Sequence, residues 1–136
     1  MTGTLSQKLI PRLLARFPGR SVCLHQGRQP VATFPAAHPE VGELQIHDDE
    51  EELTIYVGQL THGHFSPNNY QEPLQKREEE VINRVMEFLD AVFNDQVESW
   101  SAGNRDGWNW NLPGEDPIMP RPDARRYVWS GPVTSQ

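Results

Sequence analysis

Two histidines separated by one residue are the clearest candidates for chemistry in this sequence. They lie in the segment Thr61-His62-Gly63-His64-Phe65, which follows a stretch of alternating apolar and polar residues. In an extended strand, side chains at positions i and i+2 point to the same face, so His62 and His64 could bind one metal ion together. His47, at the end of the neighbouring predicted strand, or an acid within residues 48–52 could supply a third ligand. The competing interpretation is that the two histidines cap strands or form hydrogen bonds with backbone carbonyls.

A divalent metal ion at this pair would lower the pKa of a bound water and make it nucleophilic. This hypothesis predicts a metal-dependent hydrolase centred on His62 and His64. The sequence identifies no other catalytic residue, because it contains neither a Gly-x-Ser-x-Gly nucleophile motif nor a glycine-rich phosphate-binding loop. We therefore expect no nucleotide cofactor, and a divalent metal is the one cofactor that the motifs leave open.

The net charge of -7 is unevenly distributed along the chain. Residues 1–40 carry five Lys or Arg and one acid, residues 41–99 carry three and fourteen, and residues 100–136 carry four of each. An acidic middle argues against a nucleic-acid partner, because phosphates require a basic surface. It favours a basic protein partner, or serves solubility alone.

Five consecutive acids, residues 48–52, lie between two predicted strands. Like charges in a run repel one another and belong in a solvated loop. We take Asp48, Asp49 and Glu50 as candidate contacts for a basic partner. The alternative is an exposed hairpin tip whose charges protect the strand edges.

All four tryptophans lie in the last part of the chain, beginning at Trp100. Trp108, Trp110 and Trp129 could form a platform for a sugar or a protein, since tryptophan is enriched at binding hot spots. The alternative is that these rings pack against the sheet and hold a long loop in place.

The sequence predicts no association with membranes. It has no run of about 18 apolar residues, and its first residues lack the order of a secretory signal. The single cysteine, Cys23, cannot form an internal disulfide, which fits a reducing compartment. We expect a cytoplasmic protein.

Hydrophobic periodicity predicts two helices. Leu5, Leu9, Leu13 and Phe17 recur every four residues, although Pro11 must either kink this N-terminal helix or begin it. A longer amphipathic helix follows Pro73. Its apolar face contains the following residues: Val81, Ile82, Val85, Met86, Leu89, Val92 and Phe93.

Alternating residues predict strands before and after the long helix. The clearest are residues 43–47 and 53–58, with shorter strands at 21–26, 31–34, 96–100 and 126–130. We therefore predict an α+β fold: a single antiparallel sheet of about four to six strands, covered by the long helix, with the N-terminal helix beside it. The chain length predicts a single domain over residues 1–136, with a loop-rich segment at 102–122.

Five segments carry a resemblance to a known group of proteins. They are an acidic hairpin ending in Ile55-Tyr56-Val57-Gly58, the Thr61-His62-Gly63-His64-Phe65 segment, a helix with Val85-Met86-Glu87-Phe88-Leu89, then Val97-Glu98-Ser99-Trp100, and a terminal Tyr127-Val128-Trp129-Ser130-Gly131-Pro132. In this order they resemble small uncharacterised bacterial α+β proteins, some of which are immunity proteins that neutralise toxins. The resemblance implies a binding role and transfers no catalytic residues.

The leading hypothesis is a non-enzymatic domain, immunity-like, that uses the acidic hairpin and the start of the long helix to bind a basic protein. The metal-dependent enzyme is the second hypothesis. A third is a structural or assembly component that pairs through a sheet edge or through the N-terminal helix, whose basic face contrasts with the acidic middle.

Overall fold

The computed structural model of the chain describes residues 4–25, 29–102, 105–110 and 125–133. These residues form two helices, α1 (Thr4–Arg16) and α2 (Leu74–Phe93), and two antiparallel sheets. The first sheet contains β1 (Cys23–Leu24), β2 (Ala32–Phe34), β3 (Leu44–Asp48), β4 (Leu53–Val57) and β5 (Thr61–Phe65). The second sheet contains β6 (Val97–Ala102), β7 (Arg105–Trp110), β8 (Arg125–Val128) and β9 (Gly131–Pro132).

The first sheet is a meander with strand order β1-β2-β3-β4-β5. Alternation along its central strands places Leu44, Ile46 and Ile55 on the inner face, where they join the hydrophobic core. The turn between β4 and β5 requires Gly58, whose φ of 59° lies in the left-handed region. A Cβ at this position would lie 1.5 Å from the Val41 carbonyl oxygen, so no other residue fits here without a shift of the turn.

Helix α2 supplies the apolar surface on which both sheets pack. Its buried apolar residues follow helical spacing and comprise Val81, Ile82, Val85, Met86, Phe88, Leu89, Ala91 and Val92. The Phe88 ring lies 5.1 Å from Phe65 of the first sheet and 5.0 Å from Trp108 of the second, measured between ring centroids. One helix therefore joins two sheets in a single core.

Helix α1 lies beside α2 and runs in the same direction. Lys8 Nζ lies 2.8 Å from Glu78 Oε1, and Arg16 Nε lies 3.0 Å from Asp90 Oδ1. The inner face of α1 buries Leu5, Leu9 and Leu13. The helix neither begins nor ends at Pro11, which is exposed within it.

The second sheet has strand order β7-β6-β8-β9, with β7 next to β5 of the first sheet. On its outer face, Arg126 donates two hydrogen bonds to Glu98, of 2.9 and 2.7 Å. Hydrogen bonding to Glu98 raises the pKa of Arg126, an effect that partial desolvation opposes. Trp100 lies across Gly107, where a Cβ would come within 2.8 Å of the indole.

The predicted α+β class and the long covering helix are confirmed. The strands divide into two sheets where we expected one, because β5 and β7 are adjacent without a hydrogen-bonded ladder between them.

Residues 61–65 form a separate strand, and within the predicted loop-rich segment 102–122, residues 105–110 form β7. Residues 111–124 lie outside the described part of the chain, and the single domain over residues 1–136 stays a prediction. No helix among the described residues has both the length and the apolar character needed to cross a membrane.

Candidate functional site

Four aromatic side chains form a row on the outer face of the first sheet, opposite the core. We call it the ring row: His47 on β3, Tyr56 on β4, and His62 and His64 on β5. Successive ring centroids along it are 4.8, 5.3 and 5.0 Å apart. The strand register produces this arrangement, because Tyr56 pairs directly with His62 and same-face neighbours on adjacent strands come into contact. The ring row presents imidazole nitrogens and a phenol to solvent on a fixed backbone.

His64 is held by polar groups at the base of its ring. Its Nδ1 lies 3.0 Å from Thr54 Oγ1 and 3.5 Å from Glu52 Oε1. Thr54 is buried, and its hydroxyl donates a 2.6 Å hydrogen bond to Asp49 Oδ2. The two exposed histidines of β5 therefore differ, since His64 is anchored by an acidic and hydroxyl network on β4 and its hairpin.

His47 is separated from His62 and His64 by β4, which carries Tyr56 and Thr54 between them. His47 pairs with Thr54 and Thr54 pairs with His64, so two strand spacings of about 4.8 Å place the backbones of His47 and His64 roughly 10 Å apart. Burial lowers the pKa of His47, and the negative charge of Asp49 opposes this effect. The structure thus brings His62 and His64 together without His47. Among the described residues, no group of three or more His, Cys, Asp or Glu is placed to hold a metal ion.

Asp48 differs from the other acids of the β3–β4 hairpin because its side chain faces inward. It is 4% exposed, and its two carboxylate oxygens accept hydrogen bonds from the backbone N–H groups of Ser6 (3.0 Å) and Glu50 (2.8 Å). The bond from Ser6 involves a backbone N–H in the first turn of α1, where a capping side chain would act. Asp48 therefore links the hairpin to α1, whereas Asp49 and Glu50 are exposed.

A shallow cleft lies between the hairpin tip and the first two turns of α2, and we call it the acidic cleft. Its apolar lining consists of Leu5, Pro67, Leu74 and Val81, and its charged lining of Glu50, Glu51, Arg77 and Glu78. Leu74 is 57% exposed at the start of the helix. Glu78 is buried and pairs with Lys8, whereas Glu50 and Glu51 are exposed and form no ion pair within the described ranges.

The contribution of Leu74 and Arg77 to this cleft was not predicted from the sequence. Both follow Pro73 at the start of the predicted helix, and only their position outside its apolar stripe marked them as surface residues. Their proximity to the hairpin depends on how α2 packs across the sheet, which no local pattern specifies.

The tryptophans named as binding candidates pack on α2 where the structure describes their side chains. Trp108 is half-buried against Phe88, and Trp129 is 4% exposed with its ring 5.4 Å from Phe93. Trp110 lies in β7 opposite Val97, and its side chain falls outside the described residues. Trp108 and Trp129 thus contribute mainly to the core that α2 shares with the second sheet.

Comparison with models of known protein families, with curated proteins and with solved structures found no match. Function must therefore be inferred from the two surfaces just described, the ring row and the acidic cleft.

Proposed function

We propose that this protein is a non-enzymatic, immunity-like binding domain that recognises a basic protein through the acidic cleft. The observation that carries the proposal is the position of Glu50 and Glu51, exposed at the rim of a cleft whose floor is apolar. Their carboxylates are available to a partner, whereas the neighbouring Asp48 is occupied by hydrogen bonds within the fold.

The lining of the acidic cleft is chemically suited to a lysine or arginine side chain. Such side chains combine an aliphatic stem with a charged head, and they bury the stem along apolar surface while the head stays polar. Leu74 and Pro67 would contact the stem, and the two exposed glutamates would pair with the head. Glu78 is already paired with Lys8, and the two exposed glutamates still outnumber Arg77, so the cleft favours a cation.

The charge of the surrounding surface supports the same partner. Residues 41–99, which include the hairpin and α2, carry fourteen acids against three Lys or Arg. A field of this sign accelerates encounter with a basic protein, and apolar contacts at the centre of the interface supply affinity. A domain of this kind would act by covering a basic surface of its partner, which requires no catalytic group.

The test compares two charge reversals that differ only in position. Glu50→Lys with Glu51→Lys changes the cleft, and Glu40→Lys with Glu43→Lys changes two exposed acids before the other end of β3. We expect an oligolysine peptide to shift the backbone amide NMR signals of residues 49–51 and 74–78 in the wild-type protein. The cleft variant should lose these shifts, and the variant with Glu40→Lys and Glu43→Lys should retain them.

A physiological partner should then associate with the wild-type protein at a rate that falls as salt is raised, and at least about tenfold more slowly with the cleft variant. Peptide-induced shifts spread evenly over all acidic surfaces, or a partner whose association is unaffected by reversal of Glu50 and Glu51, would overturn the proposal.

A further inference from the structure

We propose that His62 and His64 form a binding site for a divalent transition-metal ion of the imidazole-preferring class, such as Zn²⁺ or Cu²⁺, and that Thr54 and Asp49 hold His64 in the metal-binding tautomer. The site uses the ring row, which the proposed binding function leaves free. It is independent of the acidic cleft, because neither Glu50 nor Glu51 takes part in it.

The spacing of the two rings fits a shared ion. His62 and His64 lie at positions i and i+2 of β5, on the outer face, and their ring centroids are 5.0 Å apart. With nitrogen–metal distances of about 2.0 Å, an ion bound by two neighbouring imidazoles places their ring centres roughly 4.5–5.2 Å apart. His62 is exposed, so its ring can rotate toward an ion held at His64 without disturbing the core.

The hydrogen bonds at the base of His64 determine which of its nitrogens is available. An ionised carboxylate can only accept, so the 2.6 Å contact between Thr54 Oγ1 and Asp49 Oδ2 uses the single hydroxyl proton of Thr54. The Thr54 oxygen must then accept in its 3.0 Å contact with His64 Nδ1, which therefore carries a proton. Glu52, 3.5 Å from the same nitrogen, favours the same assignment. In neutral His64 the lone pair is on Nε2, directed away from these groups.

This network corresponds to the second shell of known metal sites, in which a ligand histidine donates its other N–H to an oxygen acceptor. Such partners fix the tautomer and ring orientation and increase ligand basicity. Thr54 is only 1% exposed, so its position is set by the sheet. The protein supplies two ligands, and water or a group of a bound molecule would complete the coordination. His47 lies two strands from His64, on the far side of β4, and is not one of the two ligands.

The first experiment is calorimetric titration of the full, untagged chain with Zn²⁺ and, separately, with Cu²⁺. We expect one ion per chain in the wild-type protein. His62→Gln and His64→Gln should each weaken binding at least about tenfold, because each removes one of two ligands. His47→Gln is the matched control, a histidine of the same ring row, and should leave the affinity unchanged. Absence of binding to the wild-type protein, or equal effects of all three substitutions, would overturn the site.

The second experiment tests the positioning role of Thr54. Thr54→Val keeps the shape of the side chain but removes the hydroxyl, and it should weaken metal binding about 10- to 100-fold. Thr54→Ser restores the hydroxyl and should restore most of the affinity. Unchanged affinity in a folded Thr54→Val variant would remove Thr54 and Asp49 from the proposal.

A measurement on the wild-type protein covers the case in which Thr54→Val fails to fold. Long-range ¹H–¹⁵N NMR spectra of the imidazole rings distinguish the two neutral tautomers directly. We expect a proton on Nδ1 of His64 in the metal-free protein at a pH where the ring is neutral. A proton on Nε2 instead would overturn the assigned tautomer.

Discussion

The two faces of the first sheet are built from the same strands but have different compositions. The inner face carries Ile46, Ile55 and Phe65 and contributes to the core. The outer face carries the ring row, and Tyr56 there is 36% exposed. Because side chains alternate along a strand, adjacent residues point to the core and away from it. The hairpin tip shows the same division between Asp48, which faces inward, and Asp49, which faces outward.

The largest effect should follow from truncation of Phe88, an aromatic residue of α2 that packs against the inner face of the first sheet. Phe88→Ala removes a ring that contacts both Phe65 and Trp108, and we expect it to lower the free energy of unfolding by about 3–5 kcal/mol. Tyr56→Ala on the outer face is the matched control and should cost less than about 1 kcal/mol. Urea unfolding measures both. Similar losses would show that the outer face contributes as much to stability as the core.

The second sheet differs from the first because its outer face carries a largely buried ion pair, between Arg126 and Glu98. Arg126→Ala leaves the buried Glu98 carboxylate without its bidentate partner, and we expect a loss of about 2–3 kcal/mol. The loss is below that of a fully buried pair because 22% of the Arg126 side chain is exposed. Arg125→Ala, the exposed neighbour on the same strand, is the control for thermal unfolding. If both variants unfold alike, the pair contributes no net stability.

At the hairpin tip, Asp48→Asn should lower the free energy of unfolding by about 1–2 kcal/mol. The carboxylate accepts one backbone N–H on each oxygen, whereas the amide has one oxygen and would place an NH₂ group against the second N–H. Glu50→Gln, which is exposed, should change stability by less than about 0.5 kcal/mol. Chemical denaturation at pH 7 measures the difference, and an Asp48→Asn variant as stable as Glu50→Gln would contradict the internal role of Asp48.

The smallest effect concerns pH. Burial lowers the pKa of His47 in the folded state, so the neutral ring stabilises the fold above the unfolded-state pKa near 6.5, and this contribution is lost as the pH falls through the folded pKa. The wild-type protein should therefore lose more stability between pH 8 and pH 5 than His47→Gln does. Denaturation midpoints at both pH values test this, and parallel losses would exclude His47 as their source.

The fold was largely predictable from the sequence because its signals are local. Leu44, Ile46 and Ile55 alternate with polar residues, and the α2 stripe from Val81 to Val92 follows helical spacing, so both elements could be assigned without tertiary information. The division into two sheets was not predicted, since it depends on whether β5 and β7 share a ladder, which is a long-range property.

The candidate site was only partly predictable. The His62 and His64 pair was visible because strand periodicity places i and i+2 on one face, but the anchoring of His64 by Thr54 depends on strand register. The acidic run appeared uniform, whereas burial separates Asp48 from Glu50. A charge pattern shows how many carboxylates are present and does not show which of them face the solvent.

Because α2 supports both sheets, its apolar face is completed only after the last strands of the chain have been synthesised. The first sheet and both helices are synthesised before Trp108 and Trp129, which cover Phe88 and Phe93. Until those residues emerge, Phe88 and Phe93 lack these two ring contacts. A chain that terminates before residue 125 would contain Trp108 but lack Trp129, so it would keep the ring that packs on Phe88 and lose the ring that packs on Phe93.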